Sequence, residues 1–173
     1  EVVQKPRVEI LARGNEIKPV TARSLAPGEI RDANTEALAY LAGQIGAEPR
    51  RGPIVPDEAE ALEKAVMTAL ARADMVVLSG GSSVGQFDLA AEILAALGDL
   101  LVAGIAVHPG KPTLLAKCKG KPVLGLPGHP VSAQIIFNFL GAALLQRLLG
   151  ARERPRPAVQ ACLGRNIPSR TGR

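Results

Sequence analysis

Three glycine-containing turns hold the residues best suited to bind an oxyanion. Residues 79–85 (SGGSSVG) follow the apolar run 75–78 and precede Asp88. Residues 108–112 (HPGKP) and 127–130 (PGHP) also follow apolar segments. Glycine lets the backbone approach a ligand closely, and free backbone N–H groups before a helix favour anions. If the three turns meet at one edge of a sheet, they form a pocket for phosphate or another oxyanion.

The segments around these turns alternate between strand and helix. The run at 75–78 (MVVL) is short, apolar and β-branched, which is typical of a strand buried on both faces of a parallel sheet. A helix is expected from about 34 to 45, capped by Asp32 or Asn34 and ended by Gly46. The same patterns predict strands at 7–12, 49–55, 100–107, 113–116 and 122–126 and helices at 56–71, 88–97 and 130–149.

This alternation predicts an α/β fold with three layers, in which a mostly parallel sheet carries helices on both faces. The strands at 113–116 and 122–126 are close enough to form an antiparallel hairpin. Residues 17–30 contain prolines and a glycine, which indicates a loop or a pair of short edge strands. We expect one α/β domain over 1–150, followed at 151–173 by a linker and a further strand.

Composition narrows the classes of function. The chain has 173 residues, of which 47% are hydrophobic and 2% aromatic, so platforms for stacking on bases are nearly absent. The net charge is +5, and many of the arginines lie between 147 and 173. A solvated tail or a basic site for a small anion explains this charge, and nucleic-acid binding is not expected.

The cysteines and apolar segments predict where the chain resides. Cys118 and Cys162 are far apart in sequence and form no C-x-x-C pattern, which favours free thiols in a reducing compartment over a disulfide or zinc site. The first residues lack the apolar core of a signal peptide. Polar residues interrupt the apolar run 131–149, which predicts a well-buried helix and no membrane span. We expect a cytoplasmic protein.

The motifs LSGGSSVGQFD, HPGKP and GLPGHPVSA together resemble the molybdopterin-binding domain of the molybdopterin molybdenumtransferase family (MoeA and the gephyrin E region). The segments RVEILARGNEI and APGEIRDANTEALAYLAGQIGAE resemble the family's opening strand, its T-G-D-E turn, its G-x-I-x-D-x-N segment and the following helix. The resemblance covers about 7–150. Residues 158–173 resemble the first strand of the family's C-terminal β-barrel domain.

The resemblance implies a function in molybdenum-cofactor biosynthesis. The family takes adenylated molybdopterin, releases AMP and inserts molybdate with Mg²⁺, so small-molecule substrates and a homo-oligomer are expected. Asp88 would hold the Mg²⁺, Lys111 would supply a positive charge to phosphate or molybdate, and Glu16 matches the acid of the first loop. Further ligand contacts are implied for Gly80, Gly81, Ser82, Ser83, Gly85, Pro109, Gly110, Pro112, Gly128, Pro130 and Ser132.

The chain departs from the family's usual motifs at three turns. The T-G-D-E turn reads R-G-N-E, with Asn15 in place of the carboxylate; K-P-G-K-P begins with His108; and G-N-P carries His129. Two alternatives therefore stay open. One is a non-catalytic module that holds or senses the pterin. The other is a nucleotide pyrophosphatase related to the CinA family, which shares this domain.

Overall fold

A computed structural model provides the structure of the chain and describes residues 4–80, 86–151, 158–162 and 164–166, with the side chains of 86–88 outside the described part. The strands in these ranges are β1 (Arg7–Arg13), β2 (Ile17–Lys18), β3 (Ile30–Arg31), β4 (Glu48–Val55), β5 (Met75–Gly80), β6 (Gly98–Ala103), β7 (Leu114–Cys118) and β8 (Lys121–Leu126). The helices are α1 (Asn34–Ile45), α2 (Ala59–Arg72), α3 (Gln86–Leu97), α4 (Pro130–Ile136) and α5 (Ala142–Leu148), with a π-helical turn, Phe137–Gly141, joining the last two.

Six of the strands form one sheet in the order β4-β1-β5-β8-β7-β6. Strands β4, β1, β5 and β8 are parallel, whereas β7 is antiparallel to both β8 and β6. Helices cover both faces, so the predicted three-layer α/β fold with a mostly parallel sheet and an antiparallel hairpin is confirmed. The carboxyl ends of β1, β5 and β8 lie side by side.

Two apolar clusters, one on each face of the sheet, hold the layers together. One cluster joins β1, β4 and β5 to α2 and α3 through buried aliphatic residues such as Leu11 and Val66. The other joins β1, β5 and β8 to α1 and the last helix around Phe137. Because β5 is covered on both faces, its residues 75–78 are all apolar and buried without alternation, as predicted, while the equally buried β1 includes the charged Glu9 and Arg13.

Residues 17–31 leave the main sheet and return to it. β2 and β3 form a two-residue parallel ladder, and the N–H of Ile30 donates to the carbonyl of Glu16 at 2.9 Å. Lys18 and Glu29 form an ion pair at 3.1 Å within this excursion. Of the two forms predicted for 17–30, a loop or a pair of short edge strands, the structure contains the pair of short strands.

Helix α2 and strand β6 differ from their predicted bounds. The helix predicted at 56–71 would include Asp57 in its first turn, but α2 begins after it, at Ala59. The carboxylate of Asp57 instead contacts Arg13. Strand β6 ends at Ala103 because the chain then turns toward the loop at 108–112. The strand predicted within 158–173 is absent from 158–162 and 164–166, the parts of it that the structure describes.

The last helical segment runs continuously from Pro130 to Leu148, and Pro130 occupies its first turn as predicted. By length and composition alone this helix could cross a membrane, a test that the core helix of a globular protein also passes. Only 28% of its most apolar window is buried, so the prediction of a well-buried helix was wrong. Val131, Ile135 and Phe139, spaced four residues apart, are exposed.

Candidate functional site

A cavity of about 310 Å³ lies at the carboxyl ends of β1, β5 and β8, beneath the excursion at 17–31. This volume is at the lower end of the range for small-molecule sites. Carboxyl ends of parallel strands are where open α/β sheets bind ligands. Its wall is formed by Ala12, Glu16, Ile17, Ile30, Arg31, Asp32, Ala33, Asn34, Ser79, Gly80, Gly128, His129 and Pro130.

Asn34 joins two of the strand ends at this cavity. Its Nδ2 donates to the hydroxyl of Ser79 at 2.9 Å and to the carbonyl of Gly128 at 2.8 Å. Ser79 belongs to β5 and Gly128 follows β8, so one amide at the start of α1 links both strands. The linkage holds the glycine turn after β5 and the P-G-H-P turn after β8 at one cavity wall.

Gly80 stands where β1 and β5 approach each other most closely at the cavity. Its φ is +113°, a region that disfavours residues with a side chain. A Cβ at this position would collide with the carbonyl oxygen of Arg13, its register partner on β1. Gly80, predicted as a ligand contact, is thus also required by its positive φ and by the closeness of the Arg13 carbonyl.

Glu16 projects from a tight turn at the end of β1. The N–H of Ile17 donates to the carbonyl of Gly14 at 3.1 Å, and the Glu16 carboxylate folds against Gly14, where a Cβ would lie 2.6 Å from its Oε2. Gly14 has φ +148° and also donates to the carbonyl of Val55 at 3.1 Å. A side chain at residue 14 would therefore displace the Glu16 carboxylate from its present position.

A polar network behind this turn connects β1 to the loop after β4. Arg13, 1% exposed, places its Nε 3.0 Å from Oδ1 of Asp57. The N–H of Asn15 donates to the other Asp57 oxygen at 3.4 Å, and the N–H of Asp57 donates to Oδ1 of Asn15 at 3.2 Å. Burial lowers the pKa of Arg13, and the Asp57 carboxylate opposes that shift.

Charged groups on the wall are mostly held by contacts within the excursion and α1. The guanidinium of Arg31 donates to the carbonyl of Ala22 at 2.7 and 3.2 Å. Ala33 occupies the N-cap position of α1, and the predicted cap Asp32 lies one residue before it; the Asp32 carboxylate still accepts from the first-turn N–H of Thr35 at 3.0 Å and from the Thr35 hydroxyl. A hydrogen bond from the N–H of Ala26, followed by the Lys18 contact, lowers the pKa of Glu29.

The sequence-predicted site residues fall into three groups. Glu16, Gly80, Gly128 and Pro130 lie on the cavity wall, together with His129, while Ser132 lies half-buried in the first turn of α4. Gly81, Ser82, Ser83 and Gly85, and the side chain of Asp88, lie outside the described residues. The third group, the turn that carries Pro109, Gly110, Lys111 and Pro112, is not on the wall of this cavity.

That third turn packs against the last helix. A Cβ on Gly110, whose φ is +129°, would collide with the side chain of Ile136. The Thr113 hydroxyl donates to the carbonyl of Gly110 at 2.6 Å, and Lys111 is exposed. Pro112 lies in a narrow gap beside Arg13 and Gly80, behind the main cavity. Gly110 therefore packs on the cavity's face of the sheet, against the helix that also carries Pro130, whereas Pro112 reaches the opposite face.

Sequence reasoning did not assign Asn34, Ser79 and Asp32 to the site. A signal was present, because Asp32 and Asn34 are the polar positions of the G-x-I-x-D-x-N segment and Ser79 opens the S-G-G turn. The sequence predicts Asp32 and Asn34 as helix caps, and the Asp32 carboxylate does accept from the first-turn N–H of Thr35. The amide of Asn34 instead spans strands that only the folded sheet brings together.

The described residues contain no group of three or more histidine, cysteine or acidic side chains that could enclose a metal ion. Mg²⁺ does not require such an enclosure, since it is usually bound through one or two carboxylates together with phosphate oxygens and water. Glu16 supplies one exposed carboxylate on the cavity wall, and Asp88 lies in the first turn of α3. Of these two acidic residues, Glu16 alone has a described side chain, and it lies on the cavity wall.

A second cavity, of about 420 Å³, lies at the amino ends of β1 and β4. Its wall carries several charges, but these are paired: Arg72 contacts the buried Glu9 at 2.5 Å, and Arg7 contacts Asp74 at 3.3 Å. Despite its larger volume, this cavity lacks the glycine turns that expose backbone N–H groups.

Comparison with known proteins places the chain in a family. The model of the probable molybdopterin binding domain matches residues 9–147. The molybdopterin molybdenumtransferase of Nostoc sp. is 40% identical over 154 residues, which are 87% of this chain and 35% of the relative, so the chain spans about a third of that relative's length.

Solved structures agree. A molybdopterin biosynthesis MoeA protein from Pyrococcus horikoshii superposes with a TM-score of 0.77 at 41% identity, covering 84% of this chain and 36% of that one. The CinA protein of Thermoplasma acidophilum, at a TM-score of 0.61 and 19% identity over 81% of this chain and 98% of that one, shares the fold alone. Since the family model covers most of the sequence, the chain belongs to the family of probable molybdopterin-binding domains.

Proposed function

We propose that this chain binds adenylated molybdopterin at the cavity between β1, β5 and β8 and acts in the insertion of molybdate, with release of AMP. The observation that carries the proposal is the convergence of Glu16, Gly80 and Gly128 on one cavity wall. These residues come from three separate family motifs, which are far apart in the sequence. The match to the family model, over residues 9–147, includes all three.

The ligand's phosphates match the groups around Gly80. Backbone N–H groups between β5 and α3, at Gly80, Gly81 and Ser82, are suited to bind phosphate oxygens at the start of a helix of 12 residues. Gly80 lets β5 approach β1 at this wall, because a side chain there would collide with the carbonyl oxygen of Arg13. Glu16 and Asp88 would hold Mg²⁺, which would polarise the phosphoryl oxygens when bound.

A release assay with molybdate tests the proposal. Adenylated molybdopterin is incubated with the chain and Mg²⁺, and AMP is measured with and without molybdate. We expect molybdate-dependent release that Asp88→Ala reduces at least about tenfold, the size of effect typical of a lost charge contact. Asp99→Ala, a change at an exposed carboxylate on β6, is the matched control and should release AMP at the wild-type rate.

The other outcomes of this assay identify the alternatives. Tight binding without AMP release favours the non-catalytic module, a function supported by Asn15, whose amide oxygen accepts from Asp57 where the family has a carboxylate. Release from ordinary dinucleotides without molybdate favours a CinA-like pyrophosphatase, which the shared fold permits. Absence of both binding and release would contradict the proposal.

A further inference from the structure

Arg13 is a buried cation that neither the cavity nor the proposed reaction uses directly. Side chains alternate between the two faces of a strand, and Ala12 faces the cavity, so the Arg13 side chain lies on the opposite face. There it is 1% exposed and sits beside Gly80, Ala90 and Pro112.

Stability alone does not account for such a pair. Removing a guanidinium from water is costly, and a buried ion pair is often replaceable by apolar residues without loss of stability. Burial accordingly lowers the pKa of Arg13, although arginine stays charged under all ordinary conditions. The best-attested use of buried charge pairs is to select one arrangement of the chain over others.

The geometry identifies which arrangement is selected. Asp57 contacts Arg13 through one carboxylate oxygen and the N–H of Asn15 through the other. Asn15 in turn accepts from the N–H of Asp57, and the next residue, Glu16, is on the cavity wall. A direct series of polar contacts thus runs from the buried guanidinium to the turn that carries the cavity carboxylate.

We propose that Arg13 is a positioning residue, which fixes the Asp57 carboxylate so that Asp57 holds Asn15 and thereby orients Glu16 in the cavity. This inference rests on the proposed function only for its ligand-binding consequence. Its structural part, that the charge pair orders the turn at 14–17, stands independently of any ligand. The two parts are tested by separate measurements.

The structural part is tested by amide hydrogen exchange, followed by NMR, in the free chain. Arg13→Met should accelerate exchange at Asn15 and Ile17 by about tenfold or more relative to exchange in the core of β5, corresponding to a local loss of about 1.4 kcal/mol. Arg7→Met is the matched control, because Arg7 and Asp74 form an exposed Arg–Asp pair at the other end of β1. Unchanged exchange at 14–17 in a folded Arg13→Met would overturn the proposal.

Arg13→Met leaves Asp57 without its guanidinium and could unfold the chain. The double variant Arg13→Met/Asp57→Asn removes both charges while keeping an amide oxygen that can accept from Asn15. We expect this variant to fold with nearly wild-type stability and still to show accelerated exchange at 14–17. Wild-type exchange in the folded neutral pair would also contradict the inference.

The ligand part is tested by a double-mutant cycle on the affinity for adenylated molybdopterin. If Arg13 acts through Glu16, Arg13→Met and Glu16→Ala should each weaken binding about tenfold, and the double variant should be weakened little further. Additive losses would indicate general damage and overturn the positioning role. If the wild-type chain does not bind this ligand, the proposed function fails, and the exchange experiment still decides the role of Arg13.

Discussion

Asn34 donates a hydrogen bond of 2.9 Å to the hydroxyl of Ser79, across 45 positions of sequence. The same amide nitrogen donates to the carbonyl of Gly128 at 2.8 Å. The first helix, the central strand and the turn before the last helix therefore meet at one polar group. A substrate that enters the cavity contacts a wall whose three parts are already linked.

Replacing Asn34 should loosen this wall. Asn34→Ala removes both hydrogen bonds and leaves the half-buried Gly128 carbonyl without this donor, so we expect the free energy of unfolding to fall by about 1–3 kcal/mol. Chemical denaturation measures the change. Gln44→Ala, at an exposed position of the same helix, is the control and should stay within about 0.5 kcal/mol of wild type. Equal effects of the two changes would contradict the linking role.

Gly80→Ala tests the close approach of β1 and β5. Both strain at positive φ and collision with the Arg13 carbonyl should destabilise this variant. Gly28 has φ +88° with open space around it, so Gly28→Ala measures the backbone strain alone, about 1–2 kcal/mol. We expect Gly80→Ala to cost at least about 1 kcal/mol more in thermal or chemical unfolding, because overpacking adds to the strain. A smaller cost than that of Gly28→Ala would show that the strands can separate.

The Arg7–Asp74 pair predicts a pH dependence of stability. The hydrogen bond from Arg7 holds the pKa of Asp74 below its usual range, so the pair's contribution is complete above the unfolded-state pKa and is lost as pH falls through the folded-state pKa. Since both side chains are partly exposed, Asp74→Asn should cost only about 0.5 kcal/mol at pH 7. The difference from wild type, followed by denaturation between neutral and acid pH, should vanish at the acid end; a difference that grows on acidification would refute this assignment.

Asn15→Asp restores the carboxylate of the family's usual turn. An aspartate oxygen can still accept from the N–H of Asp57, so the fold should tolerate the change. The added charge is adjacent to Glu16 in the sequence although residue 15 is not on the cavity wall, and a nearby negative charge attracts Mg²⁺. The Mg²⁺ concentration required for half-maximal binding of adenylated molybdopterin should therefore decrease. Gln44→Glu adds the same charge on the exposed face of α1 and should leave that concentration unchanged; an equal decrease in both variants would reject a local metal effect.

The sequence was informative wherever the signal is local. The apolar run before Ser79 predicted a strand buried on both faces, and Pro130 and Gly46 marked the ends of helices. The turns after β5 and β8 were expected at one edge because parallel strands that alternate with helices end on the same side of the sheet. Glu16, Gly80 and Gly128 do share that cavity wall.

Local sequence patterns could not predict the contacts that depend on the order of strands in the sheet. The pairing of Arg13 with Asp57 arises because β4 lies next to β1, and no periodicity in either strand encodes that neighbour. The turn carrying Lys111 follows β6, which lies at the far edge of the sheet, two strands from β8. Its absence from the cavity wall follows from that order, while Gly110 packs against Ile136 of the last helix.

We propose that adenylated molybdopterin binds at the carboxyl ends of β1, β5 and β8. The most direct measurement is an NMR titration of the chain with this ligand in the presence of Mg²⁺. Saturable shifts should be concentrated at the amides of Glu16, Gly80 and Gly128, with none at Arg50 and Arg72 in the cavity at the opposite edge. Saturable shifts centred on Arg50 and Arg72, or no saturable shift at all, would contradict the claim.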